Sequence, residues 1–194
     1  SKEVALFVRY LSSAHSYFEF GCGGSTMVAS KYGPADLSIT SVDSSQEWLD
    51  IVAKNKYSNE KQQMGLLKLS FVDIGPTGMW GYPKQSKVKS KGAWYLYSQA
   101  ISMSGGKYDI VLVDGRFRVA CLLNTLIYNP AAKVLFHDFF DPDHHGAYKI
   151  LLEVTDVVER VDTLAALKRK EGVSTEALMK LYATFIHVPE RRHR

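Results

Sequence analysis

Three glycines within four residues, Gly21, Gly23 and Gly24, break the aromatic run Tyr17-Phe18-Glu19-Phe20, and a helix-compatible segment, Met27 to Lys31, follows directly. This order of buried strand, tight turn and helix start constrains the chain more than any other feature. Glycine is required where the backbone reverses with positive φ, or where something approaches too closely for a Cβ. The free N–H groups of the helix start then face the ligand side of the turn, with Ser25 or Thr26 available as N-cap. A nucleotide-like ligand suits that place.

The alternation continues along the chain. Apolar residues at positions 4, 7, 8 and 11 have helical spacing, so a helix precedes the first strand. The helix over residues 25–32 is stopped by Gly33-Pro34. Leu37 to Val42 alternates apolar and polar residues as a second strand, and a helix over 46–57 follows. Gly65 to Val72 is the third strand and Ala93 to Met103 the next helix. Tyr108 to Val113 is almost continuously apolar, as in a central parallel strand covered on both faces. A helix from Arg118 to Asn129, a fifth strand from Ala131 to Phe136 and a helix over 143–153 come next. Val157 to Val161 and Thr163 to Lys168 close the sheet, and Ser174 to Ile186 fits either a terminal helix or a last strand. The expected architecture is a three-layer α/β fold, a mostly parallel seven-stranded sheet with helices on both faces.

With 194 residues, 46% of them hydrophobic, one buried core is expected: a single domain over 1–194 with a basic tail at 189–194. No apolar run reaches the roughly 18 residues that span a bilayer. The N-terminus has no signal-peptide pattern, and the two cysteines, Cys22 and Cys121, form no disulfide framework or zinc spacing. A cytoplasmic protein without membrane contact is expected. The net charge of +4 is mild. Basic clusters at Lys84 to Lys91, Lys168 to Lys170 and Arg191 to Arg194 read as solvated faces and a tail before they read as a nucleic-acid surface.

Ligands of such sheets bind outside the carboxyl ends of the strands. Five consecutive strands carry acidic or glycine-rich groups there: Glu19 with the glycines, Asp43, Asp73, Asp114, and His137-Asp138. Asp43, about 20 residues past the glycines, is placed to accept hydrogen bonds from ribose hydroxyls; it equally suits a helix N-cap. Asp73 is also read as a plain turn aspartate. Between Gly75 and Gly92 the chain turns irregular and rich in glycine, proline and lysine, as in a lid or binding loop that carries Trp80 and Tyr82.

A dinucleotide fingerprint needs a glycine at position 26, where Thr26 stands. Glu19-Phe20-Gly21-Cys22-Gly23-Gly24-Ser25-Thr26 instead resembles the first motif of class I S-adenosylmethionine (SAM) dependent methyltransferases. The resemblance extends over about residues 1–168. It implies SAM as cofactor, with the Glu19 carboxylate near the methionyl amino group and the turn of Gly21, Cys22, Gly23 and Ser25 beneath the methionine and ribose. It implies Asp43 with Ser44 at the ribose, Asp73 beside the adenine amino group, and Asp114 at the junction with the acceptor. A small-molecule acceptor, methylated on oxygen, would meet Asp114, His137, Trp80 and Tyr82. Arg116 would pair with Asp114 or bind an acceptor carboxylate or phosphate.

Three uses of Asp114, His137 and Asp138 are compatible with their chemistry. The two carboxylates could hold a divalent ion, as in catechol-type O-methyltransferases, although those carry Asp-Asn after strand five where this chain has His137-Asp138. His137 or Asp138 could act as a general base without metal, or both could be structural. No metal is assigned. His144 and His145 beside Asp141 and Asp143 read as an acidic helix start. The rival readings are an NAD-dependent oxidoreductase and a non-catalytic module of the same fold that binds a sugar or nucleic acid. Neither the acceptor nor the oligomeric state is specified by the sequence.

Overall fold

The computed structural model describes residues 1–78, 81–84 and 93–189. Elements follow in the order α1 (Lys2–Leu11), β1 (Ser16–Phe20), α2 (Gly24–Tyr32), β2 (Ser38–Asp43), α3 (Gln46–Lys54), α4 (Lys56–Gln63) and β3 (Leu67–Phe71). The second half runs α5 (Trp94–Met103), β4 (Ile110–Val113), α6 (Arg118–Tyr128), β5 (Lys133–Phe136), α7 (His145–Tyr148), a 3-10 turn (Lys149–Glu153), β6 (Thr155–Val161), β7 (Leu164–Arg169) and α8 (Thr175–Phe185).

The seven strands form one sheet in the order β3-β2-β1-β4-β5-β7-β6. β1 to β5 are parallel, and β7 is antiparallel to both β5 and β6. Strand order reverses between β1 and β4, so the crevice expected of an open α/β sheet opens at their carboxyl ends.

Period-two alternation builds a core on each face. Tyr17, Ile39, Ile110, Leu112 and Leu135 pack with Leu6, Phe7 and Leu11 of α1 and Ala29 of α2. Phe18, Phe20, Val111, Val113, Val134 and Phe136 pack on the other face against α5, α6 and Leu178 of α8. Burial on both faces explains why the central strands read as unbroken apolar runs.

Two local departures from the sequence reading, and one choice it left open, have physical causes. The helix expected over 46–57 breaks at Asn55, whose backbone is extended (ψ 135°) and whose side-chain oxygen accepts from the N–H of Tyr57 and Ser58, starting α4. The segment from Ser174 is helical, with Ser174 capping the N–H of Ala177 at 3.0 Å. Neither Ser25 nor Thr26 is the N-cap of α2. That position is Gly23, whose N–H donates to Thr26 Oγ1 at 3.0 Å.

Candidate active site

The floor of the crevice is two turns pressed together. Gly21 has φ +94°, and a Cβ built on it would lie 2.8 Å from the carbonyl carbon and oxygen of Asp114. A Cβ on Gly115 would overlap the Tyr97 hydroxyl. Hydrogen bonds from Gly21 N–H to the Val42 carbonyl (2.8 Å) and from Asp114 N–H to the Phe20 carbonyl (2.9 Å) lock β1, β2 and β4 at this level. Gly23 and Gly24 differ: among the described residues, no atom beyond the adjoining chain lies within 4 Å of where their Cβ would be, so bare backbone faces open space at the start of α2.

Above this floor lies a cleft of about 1180 Å³, lined by the Gly21 to Ser25 turn, Asp43, Ser44, Asp114 and Arg116, and at its far end by His137, Asp138 and Glu3. Asp43 ties the cleft together: Oδ2 accepts from Cys22 N–H at 2.9 Å and Oδ1 from Ser45 N–H at 2.8 Å. It therefore serves the turn and the helix start together. Burial raises its pKa. Burial likewise pushes the Cys22 thiol far up, with Asp43 and Glu19 adding to the effect, so the thiol stays neutral.

Two carboxylates named from the sequence stand apart from the cleft lining. Glu19 is 0% exposed and accepts from the hydroxyls of Ser25, Thr26 and Ser41. Burial raises its pKa to about 7, against the lowering effect of those hydroxyls. The side chain braces the turn from beneath; it does not reach over it. Asp73 is exposed and accepts from Gly75 N–H at 2.8 Å, the geometry of a turn aspartate.

At the far end, five charged groups gather. His137 Nδ1 lies 3.2 Å from Asp114 Oδ1 and 3.2 Å from Asp138 Oδ1, and Nε2 lies 3.5 Å from Glu3 Oε2. Nδ1 is out of line for a directed hydrogen bond to either aspartate, so the attraction is between charges. Burial lowers the His137 pKa, but the two aspartates outweigh it and raise the pKa to about 10. The ring is thus an imidazolium at neutral pH, and the base role read for it requires that proton to leave first. Asp138 also feels burial, which His137 and Arg118 overcome to hold its pKa well below the usual range. Arg118, with a side chain only 7% exposed, joins Asp114 (3.2 Å) and Asp138 (3.1 Å) and donates to the His137 carbonyl at 2.6 Å.

Ligand atoms of Asp114, His137 and Asp138 lie within 4.8 Å of one another. In donor count they suit a divalent ion. Arg118 already pairs with both carboxylates, so an ion there would share them with that cation.

The walls come from both termini of the sheet order. Glu3, Val4 and Phe7 of α1 and Leu164 of β7 line the far end, together with Ser1. Thr77, Gly78, Gly81 and Tyr82 line the near side, where Thr77 pairs with Pro83 in a small antiparallel bridge. These residues of the stretch read as a lid line the cleft, while Trp80 and most of the lysine-rich stretch, Lys87, Lys89 and Lys91 included, lie outside the described residues. Tyr82 and Arg116 meet, with the Arg116 guanidinium carbon 4.4 Å from the ring centroid. They meet beside Ser44 rather than at the His137 cluster, where acceptor contacts are expected from the sequence. Glu3 and Arg118 were not legible as site residues. The one hint of Arg118 is its spacing of four from Asp114.

No protein-family model and no curated protein matches the chain. Among solved structures it is similar to a methyltransferase-like protein from Silicibacter pomeroyi, at 26% identity and a TM-score of 0.71, covering 95% of this chain and 93% of that one. It is also similar in fold to the O-methyltransferase TomG from Streptomyces achromogenes, involved in tomaymycin synthesis and solved in complex with SAM. There the identity is 16% and the TM-score 0.53, over 86% of this chain and 77% of the other. Strand order, glycine turn and the near full-length likeness to the first of these agree: the chain has the fold of the class I SAM-dependent methyltransferases and is similar to a methyltransferase-like protein over nearly its whole length.

Proposed function

We propose that the chain transfers a methyl group from SAM to a hydroxyl of a small-molecule acceptor. The observation that carries this reading is a single cleft running from the bare glycine backbone, past Asp43, to the cluster of Asp114, His137 and Asp138. SAM supplies the electrophilic methyl group. Gly21, Cys22, Gly23 and Ser25 would lie along its methionyl part, with the N–H groups of Gly21, Cys22 and Gly23 already engaged in holding the turn. Asp43 and Ser44 would take the ribose. Contacts through Glu19 or Asp73 are not supported by their placement, since neither lines the cleft.

Methyl transfer from a sulfonium is an in-line displacement, so positioning and removal of the acceptor proton are the protein's tasks. Asp114 is suited to accept that proton. The His137 imidazolium, fixed by Asp114, Asp138 and Glu3, places positive charge beside the developing oxyanion and lowers the acceptor's pKa. Arg118 pairs with both aspartates and holds them in place. No step needs a metal.

Calorimetric titration with SAM and S-adenosylhomocysteine is the first test, and a folded protein that binds neither would reject the reading. Transfer of labelled methyl to a panel of phenols should then survive a chelator. Loss of transfer on chelation would reinstate a metal at Asp114 and Asp138.

The oxidoreductase rival is disfavoured by the strand order. Dinucleotide enzymes run 3-2-1-4-5-6, whereas here an antiparallel β7 inserts between β5 and β6.

A further inference from the structure

A second cavity, of about 430 Å³, lies between the last turn of α1, the start of β5 and the end of β7. β5 begins at Lys133 in this cavity and ends at Phe136, just before the His137-Asp138 pair of the cleft, so the two hollows sit at opposite ends of one strand. They share no lining residue. The walls of the second are mostly apolar, with Tyr10, Pro130, Ala131, Val158 and Ala166 among them. Its volume is within the range of about 300–1,000 Å³ that holds small organic ligands.

Two lysines set its character. β5 and β7 are antiparallel, and the register that pairs Leu135 with Ala166 and Val134 with Leu167 puts Lys133 opposite Lys168 at the next step. Residues so placed share a face of the sheet, and like charges there repel. Among the described residues neither ammonium forms an ion pair. Asp156 neighbours Lys168 across β6 and β7 without joining it. Glu159 is already held by Arg9 and by the Tyr10 hydroxyl. Two facing cations with no anion of their own, beside an apolar hollow, suit a ligand that is negative at one end and apolar at the other.

We propose that this cavity is a binding site for a small organic anion, a carboxylate on an aromatic or aliphatic body. The carboxylate lies between Lys133 and Lys168, and the body lies against Tyr10, Val158 and Ala166. The site goes beyond the methyl-transfer reading and does not rest on it.

The test titrates the full chain with phenylbutyrate, with octanoate, and with the uncharged phenylbutyramide, each followed by saturation-transfer NMR of the probe. The two carboxylates should bind, the amide about fivefold more weakly than phenylbutyrate, and excess S-adenosylhomocysteine should displace none of them. Lys133 and Lys168 are both exposed, so the double variant Lys133→Gln with Lys168→Gln should fold; it should bring phenylbutyrate down to the level of the amide, a loss of about fivefold, and leave the amide unchanged. Val158→Asp, on the exposed wall, should weaken both carboxylates as well, and a thermal melt checks the folding of each variant. Equal affinity for phenylbutyrate and its amide, or unchanged phenylbutyrate affinity in the double variant, would show that the lysines recognise no anion and would overturn the proposal. Displacement by S-adenosylhomocysteine would place the probe in the cleft and overturn it too, as would a wild type that binds neither phenylbutyrate nor octanoate.

Discussion

Arg118 and Glu19 show how differently a buried charge can be maintained. Arg118 sits between two aspartates, with its Nε donating to the Gly115 carbonyl at 3.1 Å. Replacing it with methionine leaves Asp114 and Asp138 partly buried with a single cation, and a loss of about 3–5 kcal/mol in unfolding free energy is expected by urea titration. Glu19 is satisfied by hydroxyls alone, and burial raises its pKa from 4.5 to about 7. The folded state therefore holds its proton over a pH range in which the unfolded chain has released it. Stability contributed by that proton is complete below pH 4.5 and is lost as pH rises through about 7. Glu19→Gln should flatten the fall in urea midpoint between about pH 5 and about pH 8, and an unchanged slope would show that other groups cause it. The motif made Glu19 legible as important, but not which way it faces. Its partner Ser41 lies on another strand, and only the pairing of β1 with β2 brings that hydroxyl to the carboxylate.

At the level of elements, α1 does more than cover one face of the sheet. Glu3, in its first turn, accepts from Thr163 N–H, Thr163 Oγ1 and Leu164 N–H at 2.8, 2.8 and 3.0 Å, while its other oxygen faces His137. One side chain thus joins the first helix, the β6–β7 turn and the end of β5. Glu3→Ala should cost about 2 kcal/mol by the loss of these bonds, and should reduce methyl transfer while leaving S-adenosylhomocysteine affinity near that of wild type. Helical spacing made α1 itself legible. Its role as a cleft wall was not, because contacts across about 160 residues leave no periodic signal. The break between α3 and α4 was missed for a different reason: Asn55 caps by a local hydrogen bond that competes with the helix, and apolar spacing does not register it.

Across the whole molecule, the parallel half was the most legible part. Runs such as Ile110 to Val113, buried on both faces, admit few other placements. The acidic strand ends did converge on one rim, although only Asp43, Asp114 and the His137-Asp138 pair line the cleft. Because the cleft unites β1, β2, β4 and β5, a ligand that fills it should stabilise the domain as a unit. S-adenosylhomocysteine at about 100 times its Kd should add about 2.7 kcal/mol to unfolding, seen as a concentration-dependent rise in Tm; a ligand that binds without moving Tm would mean that it also binds the unfolded chain.

Ser1 caps α1 and also lines the far end of the cleft. An affinity handle joined ahead of it would emerge beside the end of the cleft where the proposed reaction puts the acceptor. Turnover assays on N-terminally tagged protein would then report the obstruction as much as the enzyme, and cleaving the tag should change the acceptor KM before it changes the affinity for SAM.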